Sequence, residues 1–146
     1  VGVHFFDLLL WLFGACQHAE VHLASADKLS GFLSLEWADV TWFLSVDRAD
    51  LPAGYAESGK PAYRALSMNG QELEFSEGFT DLHTAAYREI LAGRGFGLND
   101  AKPSVELVYA LRSAPVIVPH AERAHPLLAR ARVVNEQPGS LPPPPR

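Results

Sequence analysis

The chain opens on an almost unbroken apolar run. In VGVHFFDLLLWLFG the polar side chains are His4 and Asp7 alone, and apolar character nearly all the way round predicts a buried helix that stops at Gly14. After it the period shortens towards two. EVHLASA alternates weakly, whereas GFLSLEWADVTWFLSVD alternates well. Leu33, Leu35 and Trp37 share one strand face, and Val40, Trp42, Leu44 and Val46 share another. Ala38-Asp39 between them supplies the tight turn of a hairpin. RADLPAGYAESGKPAY, rich in Gly, Pro and charge, is a loop. A second hairpin is expected in YRALSMNGQELEF, because both central residues of a type I′ turn need φ > 0 and Asn69-Gly70 accepts it. Leu66 and Leu73 then fall on partner strands.

From Thr80 the period lengthens again. Leu82, Ala86 and Ile90 recur every four residues, Thr80 or Asp81 can cap the start, and Gly93 can end the helix. GRGFG leads to a last helix, with Asn99 as N-cap, Pro103 in the first turn and Val105, Val108 and Leu111 inward, ending near Arg112. Beyond Pro115 the pattern dissolves into a Pro-rich tail that ends in GSLPPPPR. The sequence therefore divides into a domain over 1–114 and an irregular segment over 115–146.

Hairpins between terminal helices imply an α+β fold: an open, predominantly antiparallel sheet with helices on one face. The other face is expected to expose Trp37, Trp42 and Phe43, and a large apolar sheet face marks an interface, so packing against a second subunit is expected.

Composition narrows the function. The 146 residues suit one domain, with a formal charge of −5 and no Lys/Arg cluster to engage a phosphate backbone. The single Cys16 excludes an internal disulfide and fits a reducing, cytoplasmic compartment. No apolar run is long enough to span a bilayer, and the first lacks the basic start of a signal peptide. Val1 is not Met and no capping residue precedes the helix, so the chain reads as a piece of a longer protein.

Gly2, His4, Asp7, Trp11, Leu12 and Gly14 give Gly-x-His-x-x-Asp followed by Trp-Leu-x-Gly. This pattern resembles the second-domain signature of the glucose-fructose oxidoreductase / inositol dehydrogenase family of NAD(P)-dependent enzymes. WFLSVDRADLP and the stretch from YRALSMNG to ALRSA, above all EFSEGFTDLHT, resemble one branch. That branch comprises the UDP-N-acetyl-2-amino-2-deoxyglucuronate 3-dehydrogenases of lipopolysaccharide O-antigen assembly. The resemblance runs to about Ala114. It implies a two-domain enzyme: a Rossmann domain that binds NAD, and an α+β domain that holds a UDP-sugar substrate and the tetramer interface. This chain has no Gly-x-Gly-x-x-Gly, so NAD would be held mainly by a domain absent here, and the piece alone would be inactive.

The resemblance puts His4 at the nicotinamide end as the catalytic acid/base, a role suited to a group that titrates near neutrality. Asp7, one turn on, and Thr80, Asp81 and His83 around a helix start are substrate-binding candidates, since a helix N-terminus favours anionic groups. Read without the resemblance, His4 and Asp7 are a buried polar pair, and Thr80 and Asp81 are ordinary caps. Arg48 and Arg64 could meet a carboxylate or phosphate, or lie solvated on the surface. No metal is expected, because the other histidines show no ligand spacing. The alternatives are a dehydrogenase of the same family for another sugar or polyol, and a non-catalytic oligomerisation domain.

Overall fold

A computed structural model describes residues 2–55, 57, 59–60, 62–77 and 81–135, the last four by backbone only. Helix α1 (Val3–Phe13) leads into β1 (Cys16–Ala24), β2 (Lys28–Leu35) and β3 (Asp39–Ser45). The hairpin β4 (Ala65–Met68)–β5 (Gln71–Glu74) follows, then α2 (Leu82–Leu91), α3 (Leu98–Ser113) and α4 (Leu127–Asn135). Two compact units result, one of 1–44 with 103–146 and one of 45–102.

In the first unit the three strands form one sheet with β2 in the centre. β1 and β2 run antiparallel, with Glu20 opposite Phe32 and Val21 opposite Gly31, and the register shifts between Val21 and Leu23. The turn joining β2 to β3 spans 36–38 and is closed by the Leu35 N–H on the Ala38 carbonyl at 2.8 Å. It lies one residue earlier than the alternation predicts. Trp37 consequently leaves the strand and sits on the turn, 77% exposed.

Trp42 and Phe43 are neighbours on β3, so their side chains take opposite faces of the sheet. Trp42 is buried, and Phe6 of α1 meets its ring edge-on at 5.1 Å. Gly31 makes room for it: a Cβ there would come 2.7 Å from the Trp42 ring and press into the Glu20 carbonyl oxygen. The second face is not left bare. Phe43 stacks on His125 at 5.5 Å, and Leu23 packs with Leu128 and Ala131. The segment 115–146, expected to be irregular, thus contains a parallel bridge from Val116 to Val21, a 3-10 turn at Ala121–Arg123 and the helix α4. Residues 136–146, with most of the Pro-rich end, lie outside the described residues.

The second unit forms the expected type I′ hairpin, with φ 53° at Asn69, φ 76° at Gly70 and Leu66 opposite Leu73. Its helix departs from expectation. No residue of α2 is buried, so the Leu82, Ala86 and Ile90 stripe is exposed rather than inward. A two-stranded ribbon and one short helix cannot enclose their own apolar side chains. α3 begins at Leu98, before the Asn99 expected as its cap, and the Asp100 carboxylate accepts from the Gly97 N–H at 2.6 Å. Pro103 therefore stands in the second turn, and the buried side chains are Ser104, Leu107 and Leu111, with Val105 exposed.

Candidate active-site face of the first helix

Gly2 sets the start of α1. Its φ of 109° lies in the left-handed region, and its carbonyl accepts from the Phe5 and Phe6 N–H groups, both at 3.0 Å. A Cβ at this position would stand 2.9 Å from the Leu44 methyl, so backbone conformation and space both favour glycine. At the other end Gly14 takes φ 83° and its N–H closes the helix on the Leu10 carbonyl.

The helix between these glycines is sided, not buried all round. Phe6 and Leu9 are buried, Phe6 against Trp42 of the sheet, while His4, Asp7 and Trp11 are exposed, Trp11 at 81%. Spacings of three and four residues put the exposed three on one stripe. Among the described residues no hydrogen bond or ion pair joins His4 to Asp7, and the His4 imidazole has no partner. The expected buried pair is therefore absent. The sequence instead places a proton acceptor, a carboxylate and an indole side by side on a bare surface.

Of the candidates around α2, Thr80 lies outside the described residues. Asp81, one of the two expected caps, has φ 62° and makes no cap hydrogen bond with its side chain. His83 is exposed in the first turn. These two belong to the second unit, His4 and Asp7 to the first. Arg48 is exposed in a 3-10 turn, and Arg64 donates to the Ser76 carbonyl at 3.5 Å. The Cys16 thiol donates to the His18 carbonyl, and burial pushes its pKa up.

A second polar cluster escaped the sequence reading. Glu20 on β1 is only 8% exposed. It accepts from His22 at 2.9 Å and His18 at 3.0 Å on its two oxygens, and from Arg123 as well. The His22 hydrogen bond, then His18 and Arg123, outweigh burial and hold the Glu20 carboxyl down at about 2. The alternation His-x-Glu-x-His was visible in the sequence, since period two puts all three on one side of a strand. Arg123 arrives from 103 residues away and carried no local signal. Among the described residues no set of three His, Cys, Asp or Glu is arranged to hold a metal ion.

No protein-family model matches the chain. Solved structures do. The WlbA (WbpB) dehydrogenase from Thermus thermophilus in complex with NAD and alpha-ketoglutarate is 48% identical, with a TM-score of 0.82 over 87% of this chain. The same enzyme in complex with NAD and UDP-GlcNAcA gives 47% identity and a TM-score of 0.81 over 86% of this chain. At this identity the chain is similar to one part of the WlbA (WbpB) dehydrogenase. It spans about two-fifths of those relatives, 41% and 40% of their lengths. The α+β architecture and its antiparallel sheets match a second domain of such a dehydrogenase.

Proposed function

We propose that this chain is the substrate-facing second domain of an NAD-dependent dehydrogenase. The enzyme would oxidise the 3-hydroxyl of UDP-N-acetylglucosaminuronate in lipopolysaccharide O-antigen sugar assembly. The observation that carries the reading is 48% identity, across 87% of the chain, to a dehydrogenase crystallised with NAD. Its second complex contains UDP-GlcNAcA. The bare stripe of α1 supports the same reading from physical grounds, because a reacting imidazole must be reachable by its substrate.

The residues present fit the nicotinamide end of NAD and not its pyrophosphate. His4 and Asp7 are open and polar, whereas the sequence has no Gly-x-Gly-x-x-Gly to cradle phosphates. NAD, when bound, supplies the acceptor for the hydride that leaves the sugar carbon. His4 takes the hydroxyl proton as the alcohol becomes a ketone, acting as general base in this direction and general acid in reverse. Asp7, on the same stripe, orients the sugar through a hydroxyl. Asp81 and His83 at the start of α2, with Thr80 next to them in sequence, are substrate-binding candidates in their own right, since a helix N-terminus favours the anionic uronate or diphosphate.

The relative's complex with alpha-ketoglutarate extends the proposal: a 2-oxo acid, reduced to the 2-hydroxy acid, returns NADH to NAD. The enzyme is cytoplasmic and homo-oligomeric, a tetramer. Exposed Leu91, Phe96 and Leu98 of the second unit, each about nine-tenths open, supply apolar surface for subunit contacts. No described helix is long and apolar enough to cross a membrane.

The test is NADH formation by the full-length protein with UDP-N-acetylglucosaminuronate, wild type against His4→Gln. The variant is expected to keep its fold and oligomer and lose about 10²–10⁴ in kcat. Full activity in the variant would remove His4 from the chemistry. A wild type that ignores the uronate and oxidises another sugar would overturn the substrate and leave the dehydrogenase.

A further inference from the structure

Segment 119–131 crosses the second face of the three-stranded sheet and is held there by side chains. Its backbone hydrogen bonds are local: Arg123 N–H to the His120 carbonyl, Ala124 N–H to Ala121 and Leu128 N–H to His125. Pro119 and Pro126 have no N–H to offer a neighbouring strand. Among the described residues, side-chain anchors do the holding. Arg123 pairs with Glu20 and lies 4.7 Å over the Phe32 ring. His125 stacks on Phe43, and Leu128 and Ala131 pack with Leu23. Open cavities of about 420 and 340 Å³ lie along the segment, the first lined by His120–Arg123 and the second by residues between Pro119 and Ala129.

We propose that 119–131 is a strap that opens as one piece from the folded sheet, with Arg123 on Glu20 as its latch. The latch is asymmetric. Glu20 is fixed to the sheet by His18 and His22, whereas the Arg123 side chain is 42% exposed and reaches in from the strap. Opening returns Arg123 to water, leaves Glu20 to two imidazoles of its own strand and bares Leu23, Phe32 and Phe43. An element with local backbone bonds and few anchors opens below the cost of global unfolding. Losing its guanidinium from a buried carboxylate keeps the closed form dominant. The strap thus controls exposure of the apolar second face, independently of the reaction proposed for α1.

Hydrogen exchange on the full-length protein, read by mass spectrometry, tests this for wild type, Arg123→Ala, Arg123→Lys and Glu20→Gln. In the wild type the amides of 127–131 should exchange faster than those of Phe32 and Leu33. Arg123→Ala should speed the strap about tenfold, the worth of one charge-assisted bond, without changing β2. Arg123→Lys, which keeps the charge but not the flat guanidinium over Phe32, should fall between. Glu20→Gln also removes the His18 and His22 bonds within β1, so it should speed the strap and β2 together, in contrast to Arg123→Ala. Equal exchange of strap and β2 in the wild type would overturn the proposal. So would an Arg123→Ala strap that exchanges as before, or Arg123 variants that lose strap and sheet protection together.

Discussion

Glu20→Gln should remove a definite part of the chain's resistance to acid. The carboxyl falls from an ordinary 4.5 to about 2 on folding, first through the His22 hydrogen bond and then through His18 and Arg123. Linkage at ~1.4 kcal/mol per unit makes that shift worth about 3 kcal/mol at neutral pH. The sign follows from the direction. A carboxyl whose folded value lies below its unfolded value binds fewer protons when native. Its contribution is complete above 4.5, and it is lost as pH falls from there towards 2.

The assay is urea unfolding followed by tryptophan fluorescence, wild type against Glu20→Gln, at steps between about pH 7 and pH 2. The difference between the two proteins should be about 3 kcal/mol at neutrality and close to nothing at the acid end, where protonated Glu20 resembles Gln. Taking the difference cancels the other carboxyls, including Glu77, whose value the Lys60 ammonium lowers in both proteins. A gap that stays constant across this range would refute the reasoning: Glu20 would then matter through packing, not charge.

Packing makes two further predictions. Gly31→Ala must push a methyl group into the Glu20 carbonyl and the Trp42 ring, costing about 1–3 kcal/mol or preventing folding; an unchanged Tm would refute the close approach. Phe6→Ala should cost about 3–5 kcal/mol by opening a cavity against Trp42, whereas Trp11→Ala, at 81% exposure, should fall within about 0.5 kcal/mol in thermal unfolding of this chain. Equal effects would mean that α1 is not sided as described.

What the sequence disclosed was local, and what it concealed was tertiary. Asn69-Gly70 and Gly14 are legible because a positive φ is a property of one or two residues. Leu66 opposite Leu73 then follows from the turn alone. The siding of α1 was not legible, because Leu8, Leu10, Trp11 and Leu12 are as apolar as Phe6 and Leu9; tertiary contacts such as that of Phe6 with Trp42 decide which go inward. α4 was hidden for a similar reason. Its support is Leu23, more than a hundred residues earlier, and nothing in LLARARVVN advertises that contact. His4 and Asp7 were found through resemblance, and their exposure only through the fold.

The chain carries two sets of imidazole and carboxylate, and their surroundings separate their roles. Glu20 with His18, His22 and Arg123 is buried and saturated: both oxygens accept, and the carboxyl stays ionised down to about 2. Such a group has no proton to exchange near neutrality, so it holds structure. His4 and Asp7 are the reverse case, solvent-facing and not bonded to each other, on a helix whose opposite side is locked by Phe6 and Leu9. A helix with one side packed and the other bare can present an imidazole in a fixed place without occupying it, which is what the proton transfer proposed for His4 would require. The contrast sharpens the His4→Gln experiment. His22→Gln, aimed at the saturated cluster, should lower stability and leave the activity of the folded fraction intact, whereas His4→Gln should do the opposite. If His22→Gln abolished turnover at full folding while His4→Gln did not, burial and saturation would have pointed to the wrong histidine.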